Sequence, residues 1–140
     1  MTTLVAVITA ILIVVVIYAV VKPRSYYSHK HPILEEVRSN FKVLNEKYAT
    51  IPLREGNSAF TEDKAVITLC LVKPGTKEYY DMNTIMYVAL HELAHVVSKT
   101  HGHGDEFEKN FSRLIREAAA KGVYDPRKPI PDTYCGIGPD

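Results

Sequence analysis

Tryptophan is absent from this 140-residue chain, and cysteine occurs only twice, at Cys70 and Cys135. Two cysteines so far apart, with no Cys-x-x-Cys pair, make no disulfide framework. The expectation is two free thiols in a reducing compartment. An excess of charge of either sign is also missing. Seventeen Lys and Arg against 16 Asp and Glu leave a formal net charge of +1, so the molecule as a whole has no electrostatic case for binding nucleic acid. There are no internal repeats and no low-complexity domain. The length favours one compact domain.

Charge is absent altogether from "LVAVITAILIVVVIYAVV", residues 4–21. A helix of this length is close to the minimum that spans a hydrocarbon core. No polar face argues for a buried helix of a water-soluble fold. Lys22, Arg24 and Lys30 follow the run, with no acid among them, and Tyr26 and Tyr27 suit a membrane–water boundary. A cleaved signal peptide carries its basic residues before the apolar run. The expectation is therefore a retained single-pass anchor over residues 1–24, contacting the lipid bilayer through 4–21. The domain that follows is expected on the cytosolic side, or in a virion interior.

The rest divides into a domain at 25–124 and an extended Pro- and Gly-rich tail at 125–140. "HPILEEVRSNFKVLNEKYA" repeats Ile33, Leu34, Val37, Phe41, Leu44 and Tyr48 at helical spacing, with Pro32 suited to a first turn. "TIPLREGNSAFTED" reads as a short strand and loop. "AVITLCLVKP", residues 65–74, is β-branched and apolar on both faces, which predicts a mostly buried strand. A helix follows over "YYDMNTIMYVALHELAHVVSKTHG", with Asp81 or Asn83 as its cap and Gly102 as its end. In the last helix, "DEFEKNFSRLIREAAAKG", Phe107, Phe111, Leu114, Ile115 and Ala118 form the apolar stripe and Gly122 the stop.

Four of the six histidines lie between Tyr87 and Phe107. His91 and His95 are four apart, so a helix points both imidazoles the same way. Imidazole nitrogen suits zinc, and a catalytic zinc takes three protein ligands and keeps an open position. Glu92, beside the first histidine, is placed as general base toward a water whose pKa zinc lowers to about 7. The cofactor expected is Zn2+. A straight helix cannot bring a third residue to the same ion, so the third ligand lies beyond it. His103 follows Gly102, and Phe107 four residues on can pack beneath it. His101 lies six residues after His95, as in HExxHxxGxxH, although Ser98 stands where that pattern has glycine. Glu117 is a more distant possibility. His103 is favoured, with His101 as runner-up.

"ITLCLVKPGTKEYYDMNTIMYVALHELAHVVSKTHGHGDEF" resembles the core of WLM-type metallopeptidases, relatives of the SprT-like proteases that digest proteins crosslinked to DNA. The likeness covers the strand at 67–72, HELAH at 91–95 and the His-Gly-x-x-Phe piece at 103–107. It runs more loosely from Phe41 to Ala120. It implies an α+β, zincin-like domain: a small sheet that includes 65–72, with the HExxH helix packed beneath it. The SprT-like pattern places the third ligand at His103, followed by Gly104 and by Phe107, whereas the WLM interval favours His101. With Tyr134, Cys135 and Gly136 near the C-terminus, the chain is similar to short membrane-anchored proteins of large DNA viruses.

The activity expected is zinc-dependent hydrolysis of peptide bonds in a protein or peptide substrate. The alternative is a non-catalytic structural or binding membrane protein, perhaps of a virion, that keeps a peptidase fold; an intact Glu92 argues against it. A role on DNA–protein crosslinks follows only from the resemblance, and no basic or zinc-finger appendage supports a nucleic-acid partner. Among other residues, Cys135 is expected as a free tail thiol rather than a zinc-silencing one. Tyr124 and Tyr134 are expected to pack rather than stabilise an oxyanion. His29 and His31 are expected in solvent. Asp105, Glu106 and Glu108 suit the positive end of the last helix.

Overall fold

The computed structural model describes residues 1–20 and 31–135. The first helix, α1 (Thr2–Val20), has 19 residues, about 28 Å at ~1.5 Å per residue. A hydrocarbon core is about 30 Å thick. Among the described residues no helix is long and apolar enough to cross a membrane. This overturns the expected transmembrane anchor and, with it, the single-pass membrane placement of the chain. The sequence reading counted residues 4–21 as one span; the helix instead opens on Thr2 and Thr3 and is described only to Val20. The basic flank at Lys22, Arg24 and Lys30, with Tyr26, Tyr27 and His29, lies outside the described residues.

Helix α2 (Pro32–Leu44) begins where His31 accepts a hydrogen bond from the Ile33 amide at Nδ1, 3.2 Å. His31 is thus an N-cap, not a solvated side chain. Leu34, Val37, Phe41 and Leu44 form the buried face. The helix stops short of Tyr48 because the Asn45 side chain accepts from the Lys47 amide at 2.9 Å and starts a 3₁₀ turn, Glu46–Thr50.

Three short strands form one sheet: β1 (Leu53–Glu55), β2 (Phe60–Glu62) and β3 (Val66–Leu69). Their order is β1-β3-β2, with β1 parallel and β2 antiparallel to β3. All four residues of β3 are buried, as the apolar run predicts. Its ladder ends at Leu69, earlier than the run suggests. Asp63, Lys64 and Ala65 join β2 to β3; the first two have φ of 50° and 54°, and the Ala65 amide bonds to the Glu62 carbonyl at 2.9 Å. Positive φ at both central residues gives the turn a twist that matches the strands, and with Glu62 opposite Val66 it leaves Ala65 as one extra residue before β3.

Helix α3 (Met82–Val97) starts at Asp81, whose carboxylate accepts from the Thr84 amide and hydroxyl. It contributes Ile85, Met86, Ala89, Leu90, Leu93 and Ala94 to the core. It ends at Val97, before Gly102, with Ser98 extended as its cap. Helix α4 (Asp105–Ala120) buries Phe107, Leu114 and Ala118. It is terminated by Gly122 at φ +74°, where the Val123 amide reaches back to Ala118 and the Gly122 amide to Ala119.

The tail beyond α4 folds back over the domain. Asn83 and Asp125 exchange two hydrogen bonds, at 3.1 and 2.7 Å. The Tyr134 ring packs against Tyr80, and its hydroxyl donates to the Cys70 carbonyl. Cys135 forms a disulfide with Cys70, the two Cα atoms 6.4 Å apart, inside the range a disulfide requires. The expectation of two free thiols is therefore wrong, and the inference of a reducing compartment loses the basis it rested on. Sequence separation misled it: the chain passes β3 early and returns to its end only after α4. The α+β class, with a small sheet against the HExxH helix, is what the fold contains.

Candidate metal centre

α3 carries His91 and His95 on one face, their ring centroids 5.1 Å apart. The chain then leaves the helix, turns at Gly102 with φ +78° and returns as α4. That φ is one L side chains rarely adopt, and it swings His103 back toward α3. His103 Nε2 lies 3.2 Å from His91 Nε2 and 3.1 Å from His95 Nε2. These three residues form a group whose ligand atoms all lie within 4.8 Å of one another.

The spacing fits a metal ion. Nitrogens about 2.0–2.1 Å from a tetrahedral zinc are about 3.3–3.4 Å apart. Protonation alone explains the arrangement less well. His103 Nε2 carries at most one hydrogen, so it cannot point one at both neighbours. A cation between the three rings satisfies all three lone pairs.

Phe107 forms the floor. It is 1% exposed, and its ring centroid lies 4.9, 4.4 and 4.7 Å from those of His91, His95 and His103. The spacing from His103 to Phe107 predicted this packing for one histidine; the ring supports all three.

Glu92 points to the same side but is only 6% exposed. A buried carboxylate requires a donor. The Thr61 hydroxyl, from β2, supplies one at 2.6 Å to Oε2 and lies 3.0 Å from Glu92's own carbonyl. The edge strand is thereby tied to the helix that carries the histidines. Between them is an open cleft of ≈500 Å³, lined by Phe60, Thr61, Lys64, His91, Glu92, His95 and His103 among others.

His101 sits on the rim of this cleft, exposed and outside the histidine group. Glu117 is paired with Arg113 at 3.0 Å and takes no part. Cys135, held in its disulfide, is neither a free thiol nor a thiolate for the histidines. Tyr124 and Tyr134 do not line the cleft. They pack on Tyr87 and Tyr80, and burial pushes both phenols above their ordinary range.

Thr61 and Lys64 carry no signal in the sequence that marks them as part of this site. Glu106 lies in the first turn of α4, as the helix dipole favours, and does more there. Its carboxylate in fact accepts from the Lys99 and Thr100 amides at 2.9 and 3.0 Å and from the Thr100 hydroxyl. Those bonds, the Lys99 amide first, hold its pKa below the usual carboxylate range. No pattern in the sequence announces these bonds, because each joins elements distant along the chain or bridges an irregular turn.

No protein-family model matches the chain, and no solved structure matches it. Three curated relatives are viral and carry the description of uncharacterised proteins. One, from Invertebrate iridescent virus 3, is 41% identical over 90 residues, 64% of this chain and 57% of the relative. One from Invertebrate iridescent virus 6 is 42% identical over 97 residues, 66% of this chain and 54% of the relative. One from Acanthamoeba polyphaga mimivirus is 34% identical over 115 residues, 79% of this chain and 57% of the relative. The chain thus spans just over half the length of these relatives.

Proposed function

We propose that this chain is a zinc-dependent peptidase domain of the WLM and SprT-like kind, and, with its viral relatives, that it is a viral protein. The observation that carries the reading is the triangle of His91, His95 and His103 Nε2 atoms beside the buried carboxylate of Glu92, all facing one cleft. A zinc ion held by the three imidazoles would supply the Lewis acidity that polarises a peptide carbonyl and lowers the pKa of a water to about 7.

The chain's own residues do the proton work. Glu92 takes the proton of the attacking water and returns it to the leaving amine. The Thr61 hydroxyl bond fixes the carboxylate in the orientation that work requires. Phe107 packs against all three imidazoles and closes the apolar side of the cluster.

The test pairs metal analysis with a peptide or unfolded-protein cleavage assay on the full chain and on Glu92→Gln. One zinc per chain is expected in both. Cleavage should fall ~10²–10⁴-fold in the variant, the usual worth of a positioned general base. A wild-type chain that holds one zinc and cleaves nothing would defeat the reading in favour of a binding protein.

A further inference from the structure

We infer that Lys64, in the β2–β3 turn, is a positioning residue that sets the third histidine of the metal centre. The inference rests on reading the histidine cluster as a zinc site.

At Lys64 local preference and the observed residue disagree. It occupies the second central position of the hairpin turn at φ +54°, where Gly or Asn is favoured. A lysine held there carries backbone strain. Such strain persists when the side chain is needed, and here the side chain has a defined destination. Its ammonium donates to the carbonyls of His95 (3.5 Å), Ser98 and Thr100. An ammonium has three N–H donors and no acceptor, so three carbonyls saturate it. These carbonyls belong to the last turn of α3 and the segment just past it, where helical carbonyls lack partners and the helix dipole favours a cation.

The same segment is gripped from its amide side by Glu106, which accepts from Lys99 and Thr100. Asn110 adds a bond to the Ser98 hydroxyl at 3.0 Å. Residues 98–100 are therefore clamped between a cation and an anion. His103 is three residues further on, past the Gly102 turn, and is itself exposed. Its direction depends on where the clamp releases the chain. The geometry makes Lys64 a device for presenting His103 to His91 and His95.

The test is zinc affinity by chelator competition, on wild type, Lys64→Gly, Lys64→Met, His103→Ala and the Lys64→Gly/His103→Ala double variant. Lys64→Gly removes the ammonium and relieves the φ strain; Lys64→Met removes the ammonium and keeps the stem. Both should weaken zinc about 10–100-fold, the usual cost of losing a group that orients a ligand. Because Lys64 acts through His103, the double variant should bind no more weakly than His103→Ala alone. A merely structural role would make the two losses add. Wild-type affinity in both lysine variants, or additive losses, would overturn the inference. A wild-type chain that binds no zinc would instead remove the zinc reading itself, and this inference with it.

Discussion

Two irregular segments bend back onto α3, and they are held by different means. Residues 98–104, after α3, are fastened by the Lys64 ammonium and the Glu106 carboxylate, and His101 to Gly104 stay exposed. Residues 122–135, after α4, are fastened by the Asn83–Asp125 exchange, by the Tyr80–Tyr134 packing and by the Cys70–Cys135 bond. The first segment presents His103 at the surface and has no apolar side chains of its own to bury. Charged groups reaching from neighbouring elements take the place of a core. The second lines no part of the histidine cleft and is closed covalently. The tail is tied to the domain by packing and a covalent bond, whereas the segment that carries His103 is held by a clamp of charged groups.

The largest test of this division is Phe107→Ala. Truncating a fully buried phenylalanine costs about 3–5 kcal/mol, and here it also removes the floor beneath three imidazoles. Denaturant unfolding should show that loss together with weakened zinc binding. Stability lost with zinc affinity intact would mean the floor does not support the cluster.

Next in size is Cys135→Ser. The disulfide closes a sequence separation of 65 residues, and losing such a bond typically costs about 2–4 kcal/mol. Unfolding experiments should show this decrease, while zinc affinity stays within about twofold of wild type. If zinc affinity fell as it does for Phe107→Ala, the separation of tail from site would collapse.

The smallest effect lies within the tail. Arg127 donates to the Asp125 carboxylate from its side chain and backbone and lowers its pKa to about 2. A carboxylate whose native pKa is depressed stabilises the fold above its ordinary value near ~3.9 and loses that contribution as pH falls toward about 2. The pair is exposed to solvent, so the effect on stability is slight. An NMR titration of the carboxyl should still show the low midpoint, and Arg127→Gln should return it to the ordinary range. An ordinary midpoint in wild type would remove the pair from the tail's fastenings.

The central machinery was legible because it is local. Helical period places His91, Glu92 and His95 before any tertiary contact forms, and the β-branched run at 65–74 announces a buried strand. His103 was legible in part, through Gly102 and the spacing to Phe107. Other features were not. Asp63–Lys64 lacks the Asn-Gly signature of a tight hairpin turn, so "TIPLREGNSAFTED" gave no sign of holding two strands. The apolar count over 4–21 overstated what its helix can cross, and the distance from Cys70 to Cys135 hid a bond.

By itself, the sequence determined the elements whose information repeats along the chain: the α3 histidine pair and its glutamate, the apolar stripes of α2 and α4, and the strand that β3 occupies. Tertiary structure alone decided the choice of His103 over His101, the hydroxyl that Thr61 gives to Glu92, the seat of Lys64 and the partner of Cys135. The physical reason is the same in each case. Periodicity is a property of neighbours three or four residues apart, whereas these groups meet only after the sheet, the helix and the tail have packed.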